Sequence, residues 1–208
     1  MILYIIRHGE TSWNVQRRLQ GRSDTRLDEN GIRLARLTGE ALAKVPFFCA
    51  FTSPLHRAVQ TAELILGQRK VPIIKDDRLI EVSFGEYEGL CCDEKNFEIP
   101  DKNFSNFFQH PQLYQTPPGG ESLDQVEART KAFLDDICSR PELADKTVLV
   151  STHGCAMRGL LNSLRIAPRE DYWNGGVPKN CSVAIVESTD GARRLLEENK
   201  VYASVQSC

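Results

Sequence analysis

Two short apolar segments of the chain each end in a histidine followed by a glycine. Leu3-Tyr4-Ile5-Ile6 leads into Arg7-His8-Gly9, and Thr147-Val148-Leu149-Val150-Ser151 leads into Thr152-His153-Gly154. Uninterrupted apolar runs of this length are typical of strands that are buried on both faces of a parallel sheet. Because functional side chains gather beyond the carboxyl ends of such strands, we expect His8 and His153 to lie close together at one edge of the sheet.

The remaining pattern alternates strands with helices. We predict further strands at 48–52, 71–74, 181–186 and 193–198, and helices at 28–45, 53–66, 122–137 and 156–164. Asp28 and Ser122 are typical helix caps, and Ser53 is expected to cap a helix that has Pro54 in its first position. The alternation predicts an α/β fold, a three-layer sandwich with a mainly parallel central sheet flanked by helices.

The length of 208 residues favours one domain, which we place at residues 1–208. Within it, residues 91–120 have weak periodicity and several prolines, and we interpret them as an insertion or cap segment. Its aromatic residues are consistent either with a small satellite core or with a cap over a pocket; they are Phe97, Phe104, Phe107, Phe108 and Tyr114.

Composition excludes several classes of protein. The net charge is −2, which argues against a nucleic-acid coat. The apolar opening ends at Arg7 and is too short for a membrane span or a signal peptide. The seven cysteines are scattered without a Cys-x-x-Cys pair, so we expect neither a disulfide framework nor a zinc site. We therefore expect a cytoplasmic protein that binds neither nucleic acid nor a membrane.

The second predicted strand adds to the same edge of the sheet. It is followed by Ser53 and Pro54, and Arg57 comes one helical turn later. Two histidines and two arginines at one sheet edge therefore predict a functional site there.

These residues stand in an ordered set of motifs that resembles the histidine phosphatase superfamily, with its phosphoglycerate mutase-like fold. The matching motifs cover most of the chain: Arg7-His8-Gly9-Glu10-Thr11 with Asn14, Gln20-Gly21, Ser53-Pro54-Leu55, Arg57-Ala58, Thr61-Ala62, Leu79-x-Glu81-x-x-Phe84-Gly85, Glu88-Gly89, Gly119-Gly120-Glu121-Ser122 and Thr152-His153-Gly154. The stretch around Tyr87 resembles the phosphatase branch of this superfamily, in which tryptophan is common at the position of Tyr87.

The resemblance implies a role for each matching position. His8 is implied as the nucleophile that forms a phosphohistidine intermediate, and Glu81 as the general acid and base. Phosphate and substrate contacts are implied for Arg7, Arg57, His153, Asn14, Gln20, Gly21 and Gly154. No metal or cofactor is expected, since the arginines and His153 would supply the positive field that phosphoryl transfer needs.

The activity expected is hydrolysis of a small phosphorylated metabolite. Residues 91–120 carry only Lys95 and Lys102 against four acidic residues, a poor environment for the carboxylate of a phosphoglycerate. A phosphoglycerate mutase and a non-catalytic phosphate-binding domain remain the alternatives. The oligomeric state stays open, with a homodimer as one option.

Charge is unevenly distributed along the chain. Residues 1–36 hold seven arginines and four acidic residues, whereas residues 76–101 hold nine acidic residues and two basic ones. We expect the acidic stretch to surround Glu81 and to help keep its carboxyl group protonated, because like charges raise a carboxyl pKa. Cys155, beside the second His-Gly pair, is expected to make the activity sensitive to oxidation.

Overall fold

A six-stranded sheet forms the centre of the protein in a computed structural model that describes residues 1–165 and 167–202. The strands are β1 (Ile2–Arg7), β2 (Phe47–Thr52), β3 (Ile73–Lys75), β4 (Thr147–Thr152), β5 (Val183–Thr189) and β6 (Ala192–Lys200). The α-helices are α1 (Ser12–Val15), α2 (Glu29–Ala41), α3 (His56–Leu66), α4 (Asn106–Gln109), α5 (Leu123–Ser139) and α6 (Gly154–Asn162).

The sheet has the order β3-β2-β4-β1-β5-β6. Strands β1 to β4 run parallel to one another, β5 runs antiparallel to β1, and β6 runs antiparallel to β5. The prediction of a mainly parallel sheet is thus confirmed. The pairing of β1 with β4 brings Arg7 opposite Thr152, so that His8 and His153 leave adjacent strands at the same edge.

Helices cover both faces of the sheet, as the three-layer prediction requires. Leu3 and Ile5 of β1 pack against α5 and α6 on one side. Tyr4 and Ile6 point the other way, towards α3 and the residues that follow α2. Successive side chains of a strand point to opposite faces, so a strand that is covered on both sides must be apolar at every position.

The local predictions differ from the structure at a few element ends. The cap predicted at Ser53-Pro54 is wrong, because α3 begins at His56 with Leu55 as its N-cap residue. The hydroxyl of Ser53 lies 2.7 Å from Nε2 of His153 instead. The third strand is shorter and later than predicted, and the helix after β4 begins at Gly154.

Helix α1 was not predicted, because its four residues are too short to show a periodic pattern. Thr11 and Asn14 form a reciprocal capping box, in which each side chain accepts a hydrogen bond from the other residue's backbone N–H. This turn directs the chain away from β1, and it sets the position of the residues that follow the first His-Gly pair.

The segment 91–120 folds as short helices and turns rather than as a continuous element. The rings of Phe104 and Phe107 are buried and stacked, with centroids 5.8 Å apart. They belong to a second apolar cluster with Phe84 and Tyr172. Phe104 and Phe107 therefore pack in a small core that the segment shares with neighbouring elements, whereas Phe97 and Phe108 are exposed. Phe107 and Phe108 also line the pocket that contains His8.

The six described cysteines are free thiols, and Cys208 lies outside the described residues. None of the helices within residues 1–165 and 167–202 combines the length and the apolar character that crossing a bilayer requires.

Close backbone contact fixes the loop after β1. A Cβ atom built on Gly31, in the first turn of α2, would lie 2.1 Å from the carbonyl oxygen of Glu10. One built on Gly9 would lie 2.8 Å from the carbonyl oxygen of Gly31. The two glycines therefore allow α2 to pack directly on the backbone that follows His8.

We expect Gly31→Ala to destabilise the protein by about 2 kcal/mol or more, as overpacking of a tight site does. Alanine favours the helix over glycine by about 1 kcal/mol. A net loss of stability would therefore have to come from the steric clash. Urea unfolding measures the change, and Glu40→Ala on the exposed side of the same helix is the control. Equal stability of the two variants would contradict the expectation.

Candidate active site

His8 lies just beyond β1, almost completely buried. Its Nδ1–H donates a 2.7 Å hydrogen bond to the carbonyl of Gly9, which leaves the Nε2 lone pair free. Burial, followed by the charges of Arg57 and Arg7, lowers the pKa of His8 well below its ordinary 6.5. The ring is therefore neutral near pH 7, the state in which Nε2 is a nucleophile.

Arg7 and Arg57 flank this histidine and are held by backbone carbonyls. Nη1 of Arg7 donates a hydrogen bond to the carbonyl oxygen of Pro178 at 2.5 Å. Arg57 donates to the carbonyls of Ser23 and Gly21, both at 2.7 Å. Burial lowers the pKa of Arg57 to about 10, so the side chain still carries a full charge at neutral pH.

His153 lies beside the nucleophile, with ring centroids 5.1 Å apart. Its Nε2 is 2.7 Å from the hydroxyl of Ser53. A hydroxyl that donates to Nε2 leaves the proton on Nδ1, which is then a donor. Burial, and next the charge of Arg57, lowers the pKa of His153 well below 6.5, so it acts as a neutral donor rather than a cation here.

Among the described residues, three buried nitrogen atoms near His8 have no hydrogen-bond partner: Nε of Arg7, Nε of Arg57 and Nδ1 of His153, which lies just outside the pocket lining. Leaving a buried donor unpaired costs about 1–3 kcal/mol. Unpaired donors of this kind beside a neutral imidazole favour the binding of an anion such as a phosphoryl group. Within residues 1–165 and 167–202, no group of three His, Cys, Asp or Glu side chains is placed to hold a metal.

Glu81 reaches the same pocket from the loop after β3. Its carboxylate accepts hydrogen bonds from the backbone N–H groups of Val82 at 2.9 Å, Cys155 at 3.1 Å and Ala156 at 3.0 Å. Two of these donors belong to the first turn of α6, where helix N–H groups lack internal partners. The start of the helix thus fixes the position of Glu81.

The acidic cluster expected around Glu81 is dispersed in the structure. Glu88 accepts hydrogen bonds from the backbone of Arg22 and Ser23, and Glu86 is exposed. The groups nearest to Glu81 are N–H donors, and its strongest charged neighbours include Arg7 and Arg57. The proposed effect of Glu86 and Glu88 on the Glu81 carboxyl group therefore has no contact to support it.

The remaining predicted substrate residues also line this pocket; they are Asn14, Gln20, Gly21 and Gly154. Gly21 has a φ of +48°, and a Cβ atom on it would lie 2.2 Å from Oε1 of Glu88. Glycine suits this position because it adopts a positive φ without strain, and a side chain here would displace the carboxylate of Glu88. Its carbonyl is one of the two that hold Arg57.

Several residues of the pocket escaped the sequence analysis. Asn180 donates from Nδ2 to the carbonyl of His8 at 3.0 Å and to Oδ1 of Asn14 at 3.3 Å. Pro178 and Lys179 lie on the same loop and also line the pocket. No motif marks this loop, and its approach to β1 depends on the antiparallel insertion of β5 beside β1.

Cys155 is a buried residue of the pocket wall, with Sγ 3.2 Å from the hydroxyl of Tyr172. Burial, and next the charge of Glu81, raises the pKa of its thiol well above 9. Because the thiolate is the reactive form, this environment argues against the oxidation sensitivity that its position in the sequence suggested.

Comparison with known proteins agrees with this geometry. The sequence model of the histidine phosphatase superfamily (branch 1) matches residues 3–201. The chain therefore belongs to the histidine phosphatase superfamily.

Individual relatives carry different activities in their names. The chain is 40% identical to a 2,3-bisphosphoglycerate-dependent phosphoglycerate mutase 2 of Gloeobacter violaceus, over 91% of this chain and 87% of the relative. It is 30% identical to phosphoserine phosphatase 1 of Hydrogenobacter thermophilus, over 95% and 91%. The solved structure of Bacillus stearothermophilus YhfR superposes with a TM-score of 0.88 at 36% identity, covering 96% of this chain and 97% of that one.

The two buried histidines should make the protein sensitive to acid. Their pKa values lie well below 6.5 in the folded protein. As the pH falls through 6.5, the unfolded chain binds protons that the folded one does not, and stability is lost. Between pH 7.5 and pH 5.5 we expect each histidine to remove about 1 kcal/mol from the free energy of unfolding.

Urea unfolding at the two pH values measures this loss. In His153→Gln, the fall in the free energy of unfolding should be smaller by about 1 kcal/mol, which is the contribution of one histidine. A free energy of unfolding that falls equally in the wild type and in His153→Gln would contradict the assignment of a neutral, buried His153.

Proposed function

We propose that the protein is a metal-independent phosphomonoesterase that acts on a small phosphorylated metabolite through a phosphohistidine intermediate on His8. The observation that carries the proposal is the set of three unpartnered donors on Arg7, Arg57 and His153 around a neutral imidazole. This set can neutralise the charge of a transferring phosphoryl group.

The reaction would follow two steps. In the first, Nε2 of His8 forms a bond to phosphorus while the bond to the ester oxygen breaks, and the carboxyl group of Glu81 gives its proton to that oxygen. In the second, the carboxylate takes a proton from a water molecule that attacks phosphorus, which releases inorganic phosphate and restores His8.

The size of the pocket supports hydrolysis. The cavity has a volume of about 480 Å³, and a three-carbon phosphorylated acid would leave much of it to water. A mutase must keep water from the phosphohistidine, because it returns the phosphoryl group to a second acid.

A mutase is nevertheless the second candidate. Residues 91–120 hold few bases, yet two basic residues from other parts of the chain line the pocket without an ion pair in the described structure: Arg17 and Lys179. They could hold the carboxylate of a phosphoglycerate. The cytoplasmic location and the option of a homodimer remain predictions.

A panel of phosphomonoesters, incubated without metal and with a chelator, tests the proposal. We expect release of inorganic phosphate by the wild type, and a loss of about 10³-fold or more in His8→Ala because the nucleophile is gone. His110→Ala, an exposed histidine away from the pocket, is the control. An acid-labile phosphoryl group on His8 should be found after rapid quenching.

Each other outcome has a distinct meaning. Hydrolysis that persists in His8→Ala would refute the nucleophile. Interconversion of phosphoglycerates faster than release of phosphate would identify a mutase, and phosphate binding without turnover would identify a binding domain.

The role of Glu81 has its own test. In Glu81→Gln, turnover should fall about 10²-fold for an alkyl phosphate, whose alkoxide needs a proton to leave. It should fall much less for 4-nitrophenyl phosphate, because that phenolate leaves unaided. Glu86→Gln is the matched control on an exposed neighbour. An equal loss for both esters in Glu81→Gln would contradict the role of general acid.

A further inference from the structure

The pocket continues outward from the buried phosphate end to an exposed rim. The residues of this rim are Trp13, Arg17, Phe108, Trp173 and Lys179, and all of them line the same cavity as His8. His8 and Arg57 are buried and Arg7 is half-buried, whereas Arg17, Phe108 and Lys179 are exposed. A phosphate ester bound at His8 would therefore direct its leaving group towards the rim.

Two cations of the rim are available to a ligand. Neither Arg17 nor Lys179 makes an ion pair with any residue in the described part of the chain. Arg18, by contrast, is bound to Glu98 at 2.9 Å. Besides Glu81, the acidic residue of the pocket lining is Glu10, which accepts a hydrogen bond from Asn30.

Arg17 is held at the rim by a strained backbone. Its φ is +56°, a conformation that is costly for a residue other than glycine and that persists only where neighbouring contacts enforce it. Its carbonyl accepts from the N–H of Cys92 at 2.9 Å and from the Cys92 thiol at 3.1 Å. The Cys91 thiol donates to the carbonyl of Gln16. The adjacent cysteines thus fasten the turn that carries Arg17.

An apolar wall lies on the rim as well. The ring of Phe108 is 40% exposed and lies 5.7 Å from the ring of Trp173. Trp173 is fixed by a hydrogen bond from its indole N–H to the carbonyl of Phe107. Exposed, ordered aromatic rings beside a cavity are typical of a surface that binds a flat apolar group.

We propose that the rim binds the leaving group of the substrate, and that this group is an apolar ring that carries an acidic substituent. The ring would pack on Phe108 and Trp173, and the acidic group would pair with Arg17 and Lys179. The inference rests on the proposed phosphatase activity, and it names the class of ester on which that activity acts.

Four esters separate the two parts of the inference. Benzyl phosphate and 4-carboxybenzyl phosphate have the ring, without and with the acid. Glycerol 3-phosphate and 3-phosphoglycerate have no ring, and of these two only 3-phosphoglycerate carries a carboxylate. For each pair of esters, the ratio of their kcat/KM values is measured in the wild type and in a variant. The intrinsic reactivity of the esters is the same in both proteins, so it cancels when the two ratios are compared.

We expect the wild type to prefer 4-carboxybenzyl phosphate over benzyl phosphate by about tenfold, the effect of two exposed charge pairs. The double variant Arg17→Gln/Lys179→Gln should lose this preference. Lys95→Gln/Lys102→Gln, exposed lysines of the 91–120 segment outside the pocket, should keep it. A preference that survives in the first double variant would overturn the assignment of the acidic group.

Phe108→Ala tests the ring. It should lower kcat/KM for both benzyl esters about fivefold more than for glycerol 3-phosphate, as the loss of an aromatic contact would. Phe97 is also 40% exposed and lies outside the pocket, so Phe97→Ala is a matched control. An equal loss for all four esters in Phe108→Ala would overturn the assignment of the ring.

Binding to His8→Ala distinguishes failure of this inference from failure of the proposed function. The variant lacks the nucleophile, and calorimetry with the four esters then measures the rim without turnover. Tighter binding of 4-carboxybenzyl phosphate, lost on adding Arg17→Gln/Lys179→Gln, supports the rim even if the wild type transfers the phosphoryl group rather than hydrolysing it. Equal binding of all four esters would refute the rim.

Discussion

The desolvation of two arginines and two histidines at the carboxyl edge of one parallel sheet is the constraint on which the rest of the structure depends. Desolvation lowers the pKa values of all four side chains, and such burial is unfavourable unless an anion compensates it. The surrounding elements serve to hold this arrangement. The register of β1 and β4 fixes the histidines, the close contact of Gly31 fixes the loop after His8, and α6 fixes Glu81.

Much of the fold and the deep part of the site could be predicted from the sequence. Apolar runs that end in His-Gly are local signals, and the rule for parallel sheets converts them into a shared edge. What could not be predicted depends on contacts between distant segments. Ser53 reads as a helix cap, and only the proximity of β2 and β4 shows that its hydroxyl bonds to His153.

The rim of the pocket shows the same limit more strongly. Arg17 and Lys179 are far apart in sequence, belong to no motif and lie outside residues 91–120, where bases were expected to contact a carboxylate. Their convergence depends on α1, which is too short for a periodic pattern, and on the loop before β5. Relatives of this chain carry the names of a mutase and of a phosphatase, and we expect the rim to be where differences in specificity arise.

The partners that hold the two arginines have a further consequence. Arg7 and Arg57 are anchored by the carbonyls of Pro178, Ser23 and Gly21. A peptide carbonyl orients a guanidinium through its dipole yet brings no net charge, so it cancels none of the positive field. It also does not titrate, which keeps the arginine geometry independent of pH. Neutral groups therefore hold both arginines in place.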